Sequence, residues 1–220
     1  MTNKITNKIT NKIIAYLRRV ILYINRKRLK NKDISLIANN CIGGIIYHDL
    51  QLRFLSPTIN LYFDNAEFIL FCSHIKEYLS LPVEFCEKYD KSFPVGVIHG
   101  SHGDVHIFFM HYNSFEEAIA TWNERKSRLN YDNLYIIMEA QLCEDSILNK
   151  FNEIPHEQKV VLTSGKRNIS KSFPIDETFY INNYVPGKIL EYPPCGLHRY
   201  MDVLDYVKWF NSGKIRKRYI

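Results

Sequence analysis

A short apolar run ends abruptly in a group of residues whose types suit ligand binding or nucleophilic chemistry. The run covers residues 34–38, and the residues that follow it include Asn39, Asn40, Cys41, Gly43 and Gly44. A cysteine at a helix N-terminus can have a lowered pKa, which favours the nucleophilic thiolate. Amide side chains donate and accept hydrogen bonds, and glycines allow a ligand close to the backbone. We therefore predict a ligand site, with Cys41 as candidate nucleophile and the other four as substrate-binding residues.

A tight turn is the alternative interpretation of this stretch. The asparagines would then cap the next helix, and Cys41 would be a small buried side chain. The spacing matches neither the glycine pattern of dinucleotide-binding folds nor that of phosphate-binding loops. The pattern indicates a site without specifying its ligand.

A base for such a nucleophile is present in two places. His111 closes the alternating apolar residues of a predicted strand, residues 104–112, and His48 lies seven residues after Cys41. Imidazole titrates near neutral pH and can accept a proton from a thiol or a hydroxyl. Cys41 and His111 form a catalytic pair only if the fold makes them neighbours. A hydrogen-bonded core histidine is the alternative for His111.

Three more histidines precede His111, at positions 99, 102 and 106, with Asp104 among them. Their spacing places two of the four side chains in a predicted hairpin turn, which is a poor arrangement for a preformed metal site. We predict no metal site and no cofactor.

Arginines follow in residues 122–133, on a predicted helix and the turn after it. Arg125 can bind a carboxylate or a phosphate through two parallel hydrogen bonds. Asp132 and Asn133 are further candidates for contacts with a substrate. The alternative is a solvated helix face on which acidic neighbours pair with the arginines.

The elements that must position these residues alternate between strand and helix patterns. Short apolar or alternating runs predict strands, and capped amphipathic runs predict helices. The predicted strands cover residues 34–38, 58–63, 95–99, 104–112, 133–139 and 159–164, and the predicted helices cover residues 13–29, 65–80, 115–130, 143–154 and 197–211. This order predicts an α/β fold with a mostly parallel sheet flanked by helices, as one domain or as two closely packed lobes.

Charge is unevenly distributed along the 220 residues. The net charge is +6, but residues 1–33 hold ten basic residues and one acidic residue. A mildly acidic body is a poor general binder of nucleic acid, so we predict no nucleic-acid partner. Five cysteines without paired spacing are typical of reduced thiols in a cytosol.

Both ends of the chain are basic, and the first is also amphipathic. We predict a basic N-terminal arm over residues 1–32, an α/β domain over residues 33–212 and a basic tail over residues 213–220. A basic amphipathic helix suits an anionic membrane surface, and a solubilising tail or packing on its own domain are the alternatives. No apolar run is long enough to span a bilayer.

Three stretches, "ISLIANNCIGGIIYHDL", "SPTINLY" and "FFMHYNSFEEAIATWNERKSRLNYDNLYIIM", resemble a bacterial family of unassigned function. Its members are commonly labelled exopolysaccharide biosynthesis proteins, and the resemblance covers residues 33–212. Ile42 stands where that family is expected to have an aromatic residue. A fainter similarity, to bacterial papain-like cysteine peptidases, implies Cys41 as the nucleophile and His111 as the base.

The resemblance implies a cytoplasmic enzyme of surface polysaccharide biosynthesis (exopolysaccharide, capsule or lipopolysaccharide) that lies peripherally on the inner membrane face. The function expected first is a transferase acting on a glycan or nucleotide-sugar substrate, with His48 or His111 as the base. One alternative is a Cys41–His111 thiol acyltransferase or hydrolase. A non-enzymatic glycan-binding or scaffold protein is the other.

Overall fold

A computed structural model describes the backbone of residues 2–141, 145–164, 178–181, 187–216 and 218. It describes the side chains of residues 10–140, 145–163, 187–216 and 218. The helices are α1 (Thr2–Arg28), α2 (Ile42–Leu50), α3 (Asn65–Ser73), α4 (Ile75–Ser80), α5 (Phe115–Lys126), α6 (Asp145–Asn152) and α7 (Tyr206–Ser212). The strands are β1 (Ser35–Ala38), β2 (Glu84–Phe85), β3 (Val95–Gly100), β4 (Gly103–Phe108), β5 (Leu134–Gln141), β6 (Lys159–Ser164) and β7 (Thr178–Ile181).

A four-stranded parallel sheet forms the centre of the fold, in the order β1-β5-β6-β7. Ser35 pairs with Leu134 and Ala38 with Ile137, so β1 and β5 end on the same edge of the sheet. Parallel strands require crossover connections, and α6 is the crossover between β5 and β6. The predicted α/β class with a mostly parallel sheet is confirmed.

Both faces of this sheet are covered, which explains why its strands are continuously apolar. Successive side chains of a strand point to opposite faces. Ile37 and Ile136 join one buried cluster, with residues of α3, α5 and α6. Leu36 and Ile137 join the other, with residues of α2 and α7.

A three-stranded antiparallel sheet, in the order β2-β3-β4, packs beside α3 and α4. The predicted hairpin turn between β3 and β4 is confirmed, with Gly100 paired to Gly103. Strand β4 ends at Phe108, so His111 lies in the loop that follows and not on the predicted strand.

Three predicted elements are wrong. The helix predicted over residues 197–211 is a 3-10 turn, Tyr200–Val203, followed by α7, because Leu204 between them is extended. Residues 58–63 form no strand; Asn60 has a positive φ of 63°, and only Tyr62 makes an isolated bridge, to Phe108. The helix predicted over residues 65–80 is two helices, because His74 leaves the helical conformation at φ −126° and ψ 37°.

Helix α1 packs on the body through its polar side chains. Arg18 donates to the carbonyl oxygen of Gly196 at 2.6 Å, and Arg26 donates to that of Asp49 at 2.7 Å. The predicted domain boundaries, after residue 32 and before residue 213, stay predictions. Among the residues that the structure describes, no helix is long and apolar enough to cross a membrane.

Candidate functional site

Cys41 and His111 meet at the edge of the parallel sheet where β1 ends. Cys41 is the N-cap residue of α2, and its Sγ lies 3.3 Å from Nε2 of His111. His111 is exposed on a turn that is closed by a hydrogen bond from the Tyr112 amide to the Phe109 carbonyl. Because Phe109 and Tyr112 are buried, the turn is anchored on both sides of His111. A distance of 3.3 Å is within reach of proton transfer between a nucleophile and its base.

A cavity of about 510 Å³ lies beside this pair, outside the carboxyl ends of β1 and β5. This is where open α/β sheets bind ligands. Asparagine, aspartate and glutamate residues form one part of the cavity lining, and apolar and aromatic residues form another. The lining residues are Asn39, Asn40, Cys41, Tyr62, Phe63, Asp64, Asn65, Met110, Glu139, Gly187, Ile189 and Leu190.

Asn39 is a structural bridge between the ends of β1 and β5. Its amide nitrogen donates to the Glu139 carbonyl at 2.8 Å, and its amide oxygen accepts from the Glu139 amide at 2.9 Å. It also donates to the side chain of Asn65 at 3.0 Å. These bonds occupy a side chain that is only 4% exposed, so Asn39 shapes the cavity wall.

Asn40 has two partners and lies closer to solvent. Its amide oxygen accepts from the Ile42 amide, the first of α2, at 3.0 Å, and its amide nitrogen donates to the Glu139 carboxylate. Sequence reasoning missed Glu139, although a carboxylate at the end of a central strand was a usable signal. Both asparagines therefore border the site, and Asn40 links it to a carboxylate.

The environment of Cys41 opposes early ionisation. Burial raises the pKa of its thiol, which is the opposite of the lowering expected at a helix N-terminus. In the described part of the chain, His111 makes no hydrogen bond through its other ring nitrogen. In the residues that the structure describes, the arrangement is thus a thiol–imidazole contact without a third side chain that orients the imidazole.

Helix α2 carries the remaining predicted residues of the first group. Gly43 is buried, and a Cβ there would lie 3.0 Å from the Cβ of Ala38, so glycine allows the helix to cross close to β1. Gly44 packs against Ile59 and Asn60. His48 does not reach the pair, since seven helical residues separate it from Cys41 by about 10 Å; it is exposed beside Asp49.

Arg125 contacts protein groups near the site. Its guanidinium donates to the Tyr112 hydroxyl at 2.9 Å and to the Ile59 carbonyl at 3.2 Å. It also lies over the ring of Phe54, with 5.0 Å between the guanidinium carbon and the ring centroid. These contacts fix the loop before Leu61 and the turn that carries His111.

Asp132 and Asn133 lie at the opposite end of the sheet. They belong to a 3-10 turn, Tyr131–Asn133, that precedes β5. Asn133 donates to Asn31 at 2.8 Å. Since β1 and β5 are parallel, this turn lies near their amino ends, away from Cys41, and the structure does not bring these two residues to the cavity.

Among the described cysteines, Cys41 alone lines the cavity. In the described residues the free cysteines are Cys41, Cys72, Cys86 and Cys195. Burial raises the pKa of Cys72 well above its ordinary value. Cys143 lies outside the described residues.

The fold and the site together define an α/β protein with a cysteine–histidine pair at the carboxyl ends of parallel strands. The chain belongs to the family described as "Domain of unknown function (DUF1919)", which matches residues 12–211. It is 36% identical over 200 residues to an uncharacterized protein of Haemophilus influenzae, and the match covers 89% of this chain and 94% of that protein. This membership agrees with the resemblance to a family of unassigned function. The similarities to exopolysaccharide biosynthesis proteins and to papain-like cysteine peptidases stay predictions.

Proposed function

We propose that this protein is a thiol-dependent acyltransferase or hydrolase in which Cys41 is the nucleophile and His111 is the general base. The observation that carries the proposal is the 3.3 Å contact between Sγ and Nε2 at the mouth of the cavity. Two residues seventy positions apart meet at the sheet edge that α/β folds use for ligands. Asn40 and Glu139 contribute polar groups to the same cavity.

The first half-reaction forms an acyl-enzyme. Sγ of Cys41 attacks the carbonyl carbon of an ester or thioester while Nε2 of His111 accepts the thiol proton. The bond from that carbon to the leaving oxygen or sulfur then breaks, and the leaving group takes the proton from His111. The first-turn amides of α2 place the positive end of the helix dipole beside the developing oxyanion.

The second half-reaction returns the enzyme to its starting state. His111 takes a proton from water or from an acceptor hydroxyl, whose oxygen attacks the acyl carbon. The bond between that carbon and Sγ breaks, and His111 returns the proton to Cys41. Water gives a hydrolase and an acceptor hydroxyl gives a transferase, with the same residues in both cases.

The cavity favours a substrate with both an apolar and a polar part. Met110, Ile189 and Leu190 supply an apolar wall, and Met110 is 40% exposed. Asn40 and Asp64 supply the polar wall. An acyl chain would lie along the first wall and a hydroxylated acceptor along the second.

Steady-state turnover of a panel of acyl thioesters and activated esters tests the proposal. We expect hydrolysis that Cys41→Ala abolishes and that His111→Asn lowers by about 100-fold or more, the usual scale of general-base catalysis. Cys86→Ala is the matched control, because Cys86 is a half-buried thiol outside the cavity, and it should retain the wild-type rate. Turnover that survives in Cys41→Ala would contradict the proposal.

A hydroxyl of a bacterial surface polysaccharide is the acceptor that we propose for the transferase. Its support is the resemblance of three sequence stretches to a family whose members are labelled exopolysaccharide biosynthesis proteins. The nucleotide-sugar transferase expected first from the sequence stays a prediction, as does the scaffold alternative. Acyl transfer to a glycan in place of water would favour the polysaccharide role.

A membrane-associated location is a second proposal, and the surface of α1 supports it. Its exposed large apolar side chains lie within about 120° of the helix circumference at 100° per residue. They are Ile13, Tyr16, Leu17, Tyr23 and Ile24. Lys12 and Arg19 flank this stripe on one side and Lys27 lies within it, as in basic amphipathic helices that lie in the interface of an anionic bilayer. We propose that the protein works at the cytoplasmic face of such a membrane.

A further inference from the structure

Two histidines and a glutamate converge outside the cavity of the Cys41 pair. His74 lies at the break between α3 and α4, Glu77 lies in the first turn of α4, and His102 lies in the β3–β4 hairpin turn. One ligand atom from each of the three lies within 4.8 Å of the other two. His74 and Glu77 are half-buried and His102 is exposed, so the cluster is open to solvent.

The other histidines of this region have carboxylate partners of their own. His99 contacts Asp104 at 2.8 Å, and His106 contacts Glu67 at 3.0 Å. Three of the four residues considered from the sequence as a metal set are therefore held in two histidine–carboxylate contacts, and only His102 is outside them. His102 instead joins His74, whose position next to the hairpin depends on the helix break.

The imidazoles of His74 and His102 lie against each other. Their rings are stacked, with centroids 3.5 Å apart and planes 11° from parallel. An imidazole nitrogen binds a metal ion in the plane of its ring, so two stacked rings share one ion only after one of them turns. His102 is exposed on the hairpin turn, so its side chain is the one that turns.

Glu77 completes the set as an anion. Its Oε1 accepts a hydrogen bond from the Ser101 amide at 2.7 Å, and its Oε2 lies 3.6 Å from Nε2 of His102. The Ser101 bond holds one carboxylate oxygen in place and orients the other towards the histidines, as outer partners of metal ligands do.

We propose that His74, Glu77 and His102 form a binding site for a divalent transition-metal ion of the zinc class. Two imidazoles and one carboxylate are a donor set that zinc takes in sites with three protein ligands and one open position. Imidazole ligands select against magnesium and calcium, which prefer oxygen. A bound ion would link the α3–α4 break to the hairpin.

The surroundings leave room for a ligand at the fourth position. A cavity of about 500 Å³ is lined by His74 and Glu77 together with Asp132 and His156. A small anion or water bound to the metal would face solvent or this cavity. Asp132, which does not reach the Cys41 cavity, thus lies on the wall of a second one.

Zinc binding to the untagged, full-length, metal-free chain tests the inference. A competition titration against a chromophoric chelator, in a Cys41→Ser background that removes the other thiol–imidazole pair, should give one zinc per chain. Loss of outer partners alone costs metal affinity 10–100-fold. We therefore expect His102→Ala and Glu77→Gln each to weaken binding by at least about tenfold. Magnesium at the same concentration should not compete.

His99→Ala is the matched control, since His99 is an exposed histidine of the same hairpin outside the cluster. It should bind zinc as the background chain does. Thermal unfolding of metal-free His102→Ala should match that of the metal-free background, because His102 is exposed on a turn. Unchanged affinity in His102→Ala, an equal loss in His99→Ala, or sulfur-to-metal charge transfer on cobalt substitution would each overturn the inference.

Discussion

The proton of Cys41 is subject to two opposite influences. Burial raises the pKa of the thiol, whereas the imidazole of His111 can accept its proton during attack. Folding therefore favours the neutral thiol. The stabilisation that comes from the neutral Cys41 thiol is present below the ordinary thiol pKa and is lost as pH rises through the raised value.

Alkylation of the free protein should follow this raised pKa. We expect the rate of Cys41 labelling by iodoacetamide to rise with pH along a titration centred above about 8.5, the ordinary value for a thiol. Peptide mapping of labelled samples at each pH gives the rate, with free cysteine in the same buffers as reference. A midpoint well below 8.5 would indicate a preformed thiolate–imidazolium pair, contrary to this account.

Asn39 and Asn40 should differ in their effects on stability. Asn39→Ala removes three side-chain hydrogen bonds, two of them to backbone groups of the buried Glu139. We expect it to lower the free energy of unfolding by about 2–4 kcal/mol. Asn40→Ala removes one bond to the first amide of α2 and one to a partly exposed carboxylate, and should cost about 1 kcal/mol. Urea unfolding of both variants measures the difference, and equal losses would show that Asn39 is not the bridge.

For single residues, the sequence predicts which residue types lie at the site better than it predicts their hydrogen-bond partners. Strand-end reasoning was enough to select Cys41, Asn39 and Asn40 as residues that border one cavity. It could not reveal the bonds of Asn39, because Glu139 is 100 positions away and becomes its neighbour only through the β1–β5 pairing. The same long-range pairing separates Asp132 from the site.

Among the elements, helix α7 is capped by the carboxylate of Asp205, which also pairs with a side chain of α1. Asp205 accepts from the Lys208 amide at 3.2 Å, which caps α7, and it pairs with Arg28 at 2.7 Å and Arg218 at 3.3 Å. Partial burial would raise its pKa, but the hydrogen bonds from Arg28 and the Lys208 amide prevail and lower it. The carboxylate therefore stabilises the fold in its ionised form.

Asp205→Ala should destabilise the protein by about 2 kcal/mol, from the lost cap and two partly exposed ion pairs. In a chain of this size this lowers the unfolding midpoint by about 4–8 °C. The wild-type contribution is present above the unfolded carboxyl pKa of about 3.9 and is lost as pH falls through the lowered folded value. Calorimetry at neutral pH checks the size; a midpoint equal to that of wild type would contradict the capping role.

The errors in element prediction have local causes. Residues 58–63 have strand-forming side chains, but the positive φ of Asn60 interrupts the extended backbone. The helix over residues 65–80 was predicted as continuous because its apolar spacing continues through His74. A turn at an asparagine and a one-residue helix break leave the spacing of the apolar residues almost unchanged. That spacing therefore does not reveal either feature.

For the molecule as a whole, α1 presents its apolar stripe outward while its other face packs on the body. We expect the protein to bind vesicles that contain anionic lipid, and binding to weaken as salt is raised. Leu17→Glu and Ile24→Glu should each weaken it by about tenfold or more, because each removes a buried aliphatic side chain from the interface. Vesicle sedimentation measures this.

Ala15→Glu is the control for vesicle binding. Ala15 is exposed on the side of α1 opposite the stripe, and the substitution changes net charge by the same amount. It should leave most of the binding intact. Equal losses of vesicle binding in all three variants would mean that charge alone governs binding. Binding to neutral vesicles that is as strong as binding to anionic ones would contradict the membrane proposal.

The fold class was predictable as a whole because the alternation of strand and helix patterns survives errors in single elements. Continuous apolar runs indicated strands buried on both faces, and β1, β5 and β6 are such strands. The second sheet was predicted only as a hairpin. Its position beside α3 depends on packing, which sequence periodicity does not encode.

The most direct test of the central claim is to trap the acyl-enzyme. A chromogenic acyl ester is mixed with the protein, the reaction is quenched in acid within the first turnover, and the digest is examined by mass spectrometry. The account predicts one acyl group per chain on the peptide that contains Cys41, absent from Cys41→Ala and formed more slowly in His111→Asn. Acylation spread over Cys72, Cys86 and Cys195, or none on Cys41 while turnover continues, would contradict it.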